Sequence, residues 1–289
     1  MSAMPDISVV VAALNTAETL GPWLDAVRPQ AARHRAEILL AAAADDEAAR
    51  PEDAGVRIVR GPAGALVPAL WGAALREARG SIVAITITPC VPANDWLDAI
   101  AGAHRELPSD GIGGAIDWSP SGSLVDRALH LVRYTPYLPP VAAGPVVEVA
   151  GDNGTYTSAA LSEWRAAIAA AGFWESEFNR HIRARGGSLR IDPRIRVTHT
   201  RSYGFTGFSR QRFRHGRLFG RERRAGLGAG GRLIKDALAP TVPAIMLARA
   251  LRTCASRGRL DARVVLAAPL AGWFFCCWAA GEAAGLLVG

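Results

Sequence analysis

Runs of consecutive apolar residues alternate with stretches of helical spacing through the first third of the chain. Residues 7–13 are continuously apolar, Asn15 and Thr16 follow, and Leu20, Leu24 and Val27 then recur at helical intervals. That order predicts a strand, a loop and a helix. No basic region precedes the first run, so it reads as a strand rather than a signal peptide. Glu37–Ala43, 56–60 and 81–88 repeat the apolar strand pattern, with a helical 67–79 between the last two. Apolar strands joined by helices indicate βαβ units and a parallel sheet covered on both faces. Ligands of such sheets sit beyond the carboxyl ends of the strands, which gathers Asn15, residues 44–47 and residues 88–90 around one crevice.

From residue 111 the pattern weakens into Gly, Pro and aromatic residues, with a helix expected over Leu124–Arg133 and a loop over 134–145. A strand is expected over 146–150, a turn over 151–154, helices over 158–171 and 174–185, and two short strands over 189–191 and 195–199. Asp152 and Asn153 in the turn could bond acceptor hydroxyls or only make the turn. The tail is different. Residues 264–289 are apolar apart from Glu282, near the ~20 residues that span a bilayer. Residues 237–251 contain Pro240 and Pro243 and suit an interfacial or re-entrant helix. Arginines at 252, 257, 259 and 263 place the flanks on the cytoplasmic side of a cell membrane. The alternative is a soluble helical hairpin whose Trp273, Phe274, Phe275 and Trp278 fill a core.

With 289 residues, half of them hydrophobic, the chain can bury one large core, or one core and an appendage. The net charge of +7 comes almost wholly from arginine, Lys235 being the sole lysine, so its placement says more than its size. Arg210, Arg212, Arg214, Arg217, Arg221, Arg223 and Arg224 form the densest cationic stretch. Guanidinium forks suit phosphate, whether of a ligand or of anionic lipid head groups. They lack the interleaved aromatic platform of single-strand binders, so no nucleic-acid partner is expected. Cys90, Cys254, Cys276 and Cys277 have no metal-ligand spacing, and a reducing compartment fits them.

Five segments together resemble family 2 glycosyltransferases, nucleotide-diphospho-sugar transferases of the GT-A fold, over residues 6–225. They are ISVVVAALNTAETL, GSIVAITITPCVPANDWL, VEVAGDNGTYTSAAL, GFWESEFNRHIRARGGSLRIDPRIRVTH and QRFRH. The resemblance implies an α/β, Rossmann-like, mostly parallel central sheet flanked by helices over residues 1–230. Residues 231–289 then form an apolar helical hairpin associated with a membrane or crossing it. It also implies a nucleotide-sugar donor and an acceptor that is lipid-linked or a polysaccharide.

Several positions depart from the family pattern. Its paired aspartates fall on Ala42 and Ala43, with Asp45, Asp46 and Glu47 just after, and its Arg-Asn pair falls on Trp71 and Gly72. Its DxD acids, which would hold Mg or Mn, fall on Ile87, Thr88 and Pro89, so no metal is expected at that turn. His199 ends a strand where relatives place a further metal ligand. Of the Glu-Asp pair Glu175 remains, Ser176 takes the Asp position, and Glu177 follows.

By that resemblance Glu175, with Glu177 beside it, is the base candidate. The alternative is that both are first-turn carboxylates favoured by the helix dipole. Asn15, Asp45, Asp46, Thr88, Gln211, Arg214 and His215 are candidates for the donor and its diphosphate. Asp152, Asn153 and Trp174 are candidates for the acceptor side. The expected reaction is an inverting sugar transfer to a hydroxyl with little or no metal dependence, and a degenerate binding or scaffold protein is the alternative.

Overall fold

In the computed structural model, residues 5–14, 16–50, 55–200, 203–225 and 241–288 are described. The chain divides into two compact units, Met1–Asp117 with Pro139–Thr200, and Trp118–Leu138 with Arg201–Gly289.

The first unit is built on β1 (Ile7–Ala12), β2 (Glu37–Ala43), β3 (Val56–Gly61) and β4 (Ile82–Ile87). β1 pairs parallel with β2 and β4, and β2 pairs parallel with β3. Every residue of β1 is buried, which is why it reads as an unbroken apolar run. α1 (Thr16–Arg33) and α2 (Val67–Leu75) make the crossovers, α1 burying Leu20, Trp23, Leu24 and Val27. Further along lie β5 (Cys90–Pro92), α3 (Trp96–Glu106), β6 (Gly111–Trp118), β7 (Gly144–Pro145), β8 (Asn153–Thr157) and β9 (Leu189–His199). The described strands make a nine-stranded sheet in the order β3-β2-β1-β4-β8-β6-β9-β5, with β7 on β9. It is parallel through β4 and antiparallel where β8 meets β4 and β6, and where β5 and β7 meet β9.

Three sequence expectations are corrected here. The strand expected over 146–150 is absent, and its turn is displaced: residues 151–152 turn and Asn153–Thr157 forms β8. The two short strands expected over 189–199 are one strand, β9. α5 (Ser158–Ser162) and α6 (Arg165–Ala171) replace one expected helix, and α7 (Glu175–Ala184) follows.

The second unit holds α4 (Leu124–Arg133), α8 (Phe205–Ala225), α9 (Val242–Ser256) and α10 (Ala262–Val288). Ser123 and Asp126 close a capping box at the start of α4. α10 is the one helix among the described residues long and apolar enough to cross a membrane, over Ala262–Leu287. α8, which the sequence assigns to the transferase-like region, packs on this tail. Gly216 and Gly220 of α8 face the backbone of Trp278 and Glu282, while Gly281 and Gly285 of α10 face the backbone of Phe213 and Arg217. A Cβ at any of the four would collide with a facing carbonyl, so only glycine lets the two helices approach this closely.

Candidate active site

The carboxyl ends of β1, β2 and β4 lie on one edge of the sheet. Because β8 runs antiparallel to β4, with Asn153 opposite Thr86, the turn at Gly151 and Asp152 arrives at that same edge. Thr86 fixes the turn there, its hydroxyl donating to the Asp152 carbonyl at 2.9 Å. Trp71 of α2 lies beneath, its indole N–H donating to the Thr86 carbonyl at 2.8 Å. A Cβ at Gly151 would stand 2.8 Å from the Trp71 ring and 3.4 Å from Glu175 Cβ, so glycine brings turn, ring and carboxylate together.

Glu175 and Glu177 both lie in the first turn of α7 and are partly buried. Behind them Phe173 is wholly buried, edge-on to Trp71 at 6.3 Å and to Tyr156 at 5.8 Å. Trp174 precedes the helix, half-buried, with its indole N–H bonded to the Ala171 carbonyl at 3.0 Å. Glu175, Asp152 and Trp71 thus stand at one place. Trp71 was not a sequence candidate, and its position within an apolar helix offered little signal.

At the end of β2, Asp46 accepts a hydrogen bond from the Thr16 hydroxyl at the start of α1, and Asp45 accepts from the Gly64 amide at 3.0 Å. Arg60 braces this loop by donating to the carbonyls of Ala43, Asp46 and Ala49. Asp45 is exposed and Asp46 partly so, and both follow the carboxyl end of β2. Asn15 lies outside the described residues.

Two other candidates have structural roles instead. Thr88 is fully buried; its hydroxyl accepts from the Leu14 amide and donates to the Leu14 carbonyl, both at 2.9 Å, and lies 2.9 Å from the Thr19 hydroxyl. Its side chain holds the loop after β1 and cannot also reach a donor. Asn153 is fully buried as well, and its amide donates to the carbonyls of Ala115 and Ile195 and accepts from the Trp96 indole. Both donors are engaged, so it ties β8 to its neighbours and does not meet an acceptor.

The residues at the DxD position do not fit a divalent ion. Ile87, Thr88 and Pro89 are all buried, two have no side-chain donor atom, and the third is bonded to Leu14. No group of three or more His, Cys, Asp or Glu able to hold a metal occurs among the described residues. His199 is buried and pairs with Cys90 in the β5–β9 ladder. A cleft of about 290 Å³ on this unit, lined partly by Arg76, Val83, Ser158 and Arg165, lies toward the opposite end of β4 and is not the crevice.

The remaining candidates lie on α8 in the second unit. Gln211 Nε2 is 3.4 Å from His215 Nε2. Arg212, on the same side of the helix, has its guanidinium 5.6 Å from the Phe208 ring centroid. Burial, and then Arg133, lower the Arg212 pKa to about 10; burial, then Arg212 and Arg133, lower that of His215 to about 4. Gln211 Oε1 and Arg212 Nε are buried without a hydrogen-bond partner among the described residues. Arg214 is exposed, whereas Arg212, which the sequence offers only as one member of the cationic stretch, is half-buried with its Nε enclosed.

No protein-family model matches the chain, and no curated protein sequence matches it. Solved structures do. The mannosyltransferase PcManGT of Pyrobaculum calidifontis, in complex with GDP-Man and Mn2+, is 18% identical with a TM-score of 0.59, over 99% of this chain and 88% of that one. Residues 1–349 of S. aureus TarS match at 12% identity and a TM-score of 0.51, over 74% of this chain and 64% of that one. GalNAc-T7, solved with UDP, GalNAc and Mn2+, matches at 14% and 0.50, over 70% of this chain and 45% of that one. The chain therefore spans less than two thirds of the last two. These likenesses give the fold, which is that of GT-A type glycosyltransferases.

Proposed function

We propose that the chain is an inverting glycosyltransferase that moves a sugar from a nucleotide-sugar donor to a hydroxyl of a lipid-linked or cell-envelope acceptor, at the cytoplasmic side of a cell membrane. The observation that carries this reading is the meeting of Glu175 with the Gly151 and Asp152 turn over Trp71, at the carboxyl edge of the parallel strands. The solved structures of this fold include complexes with GDP-Man and with UDP-GlcNAc, which supports a donor of that class.

In this mechanism the Glu175 carboxylate takes the proton from the acceptor hydroxyl as its oxygen forms a bond to the anomeric carbon. The bond from that carbon to the diphosphate oxygen breaks, and the nucleoside diphosphate leaves with the electron pair. Asp152 and Trp174 orient the acceptor, and Asp45 and Asp46 the nucleoside. The departing charge needs cationic partners. Gln211 and Arg214 are the candidates for that role by the motif they match; Arg212, next to them on α8, has its pKa lowered to about 10 by burial and then by Arg133.

Glu175→Gln should lower transfer at least about 100-fold while leaving donor affinity within roughly twofold, and chelator should leave the wild-type rate unchanged. Activity surviving Glu175→Gln would remove the proposed base. A second reading, a binding protein without turnover, is favoured by the buried Ile87, Thr88 and Pro89 where acids would stand. Absence of transfer and hydrolysis across a broad panel of donors, with or without Mg²⁺ or Mn²⁺, would select it.

A further inference from the structure

α10 presents one uncharged face along its length. Leu266, Pro269, Trp273, Cys276, Ala280 and Leu287 are exposed and recur at steps of three, four or seven, so they lie in a single stripe. Phe213, Leu218 and Phe219 on α8 and Ile245 on α9 are exposed large apolar side chains of the same unit. A stripe of exposed apolar side chains along a whole helix marks a docking face. The charge of the unit chooses the occupant: Arg210, Arg214 and Arg221 on α8, and Arg249 and Arg252 on α9, are exposed. Exposed cations on the unit that bears an apolar stripe complement an anionic lipid surface.

Whether α10 crosses that surface is decided by what it is bound to. α8 runs beside it in the same direction, from Phe208 against Phe274 at 4.7 Å and Ser209 bonded to the Trp273 indole at 3.1 Å. It continues through the four-glycine seam to Arg223 on Glu282 at 2.7 Å and Arg224 on the Leu287 carbonyl at 3.1 Å. The other end is held too. Arg263 donates to the carbonyls of Pro120 at 2.6 Å and of Gly122, at the approach to α4. A crossing α10 would draw α8 with it, placing Arg210, Arg214, Arg217 and Arg221 at hydrocarbon depth, where a charge is costly unless a carboxylate matches it.

We propose that the second unit is a monotopic anchor: α10 lies along an anionic bilayer surface with its 266–287 stripe at the acyl boundary, and does not cross it. This is independent of the glycosyl-transfer reading, and Glu175→Gln should bind vesicles as the wild type does.

Sedimentation of the full chain with vesicles tests it. Binding should be about tenfold or more stronger with roughly 30 mol% phosphatidylglycerol than with phosphatidylcholine alone, and Val265→Glu with Leu266→Glu should weaken it by about tenfold or more. The thermal midpoint of that variant should match the wild type. Arg249→Gln with Arg252→Gln should lower only the phosphatidylglycerol preference. In cells, tags on the two termini should be cleaved together by protease applied at the cytoplasmic face. Tags on opposite faces would overturn the surface-lying arrangement. Equal binding to both vesicles would overturn the anionic partner. A dimer that ignores vesicles and is dissociated by Leu266→Glu would assign the stripe to a second copy.

Discussion

Asn153 lies beside the turn that forms the crevice, yet all three hydrogen bonds described for its amide run into the protein: to Ala115, Ile195 and Trp96. Asn153→Asp keeps the shape and turns two attractive contacts with carbonyl oxygens into repulsion of a buried charge. It should cost about 3 kcal/mol or more, read as a lowered urea midpoint at constant slope. Thr88 is the gentler case. Thr88→Val leaves the Leu14 amide and carbonyl without the hydroxyl that serves both, for about 1–3 kcal/mol. A residue that touched the donor would change affinity more than stability, so the ratio of the two effects separates these roles. In the sequence a buried Asn and a catalytic Asn are the same letter; only the bonding partners tell them apart.

Elements were legible where burial left an unmistakable trace. β1, β2 and β4 are buried on both faces and so read as continuous apolar runs. β8 was misplaced because NGTYT buries Asn153 and Thr155 by bonding them internally, the Thr155 hydroxyl to the Ile112 carbonyl at 2.9 Å, which leaves little apolar signal. The seam between α8 and α10 was hidden differently. Gly216 and Gly220, and Gly281 and Gly285, are spaced four apart in plain view, but their meaning depends on two helices some sixty residues apart becoming neighbours. Gly281→Val would drive a branched side chain into the Phe213 carbonyl. The helices must then separate, and the second unit should lose more than about 2 kcal/mol, seen as a lower thermal midpoint. Gly21, where a Cβ would have nothing within 4 Å, is the control, and Gly21→Ala should not destabilise its helix.

Across the whole molecule each unit carries a histidine held neutral by burial. His104, 2.8 Å from the Thr155 hydroxyl, has its pKa lowered to about 4, as does His215 beside Arg212 and Arg133. The ordinary value of about 6.5 applies to both in the unfolded chain. Between pH 6.5 and 4 the unfolded chain therefore binds more protons than the folded one. Stability rises with pH through that window and is lost as pH falls. At pH 5 each histidine should have cost up to about 2 kcal/mol relative to pH 7. Glu37, which burial would raise but bonds from Ser8 and Arg79 bring below its ordinary value, adds a further loss only at lower pH. Urea midpoints at pH 7 and pH 5 measure the effect. His104→Gln should remove the part belonging to the first unit, and His215→Gln the part belonging to the second. If neither variant alters the difference between the two pH values, the histidines are not the source, and the acid sensitivity belongs to the carboxylates.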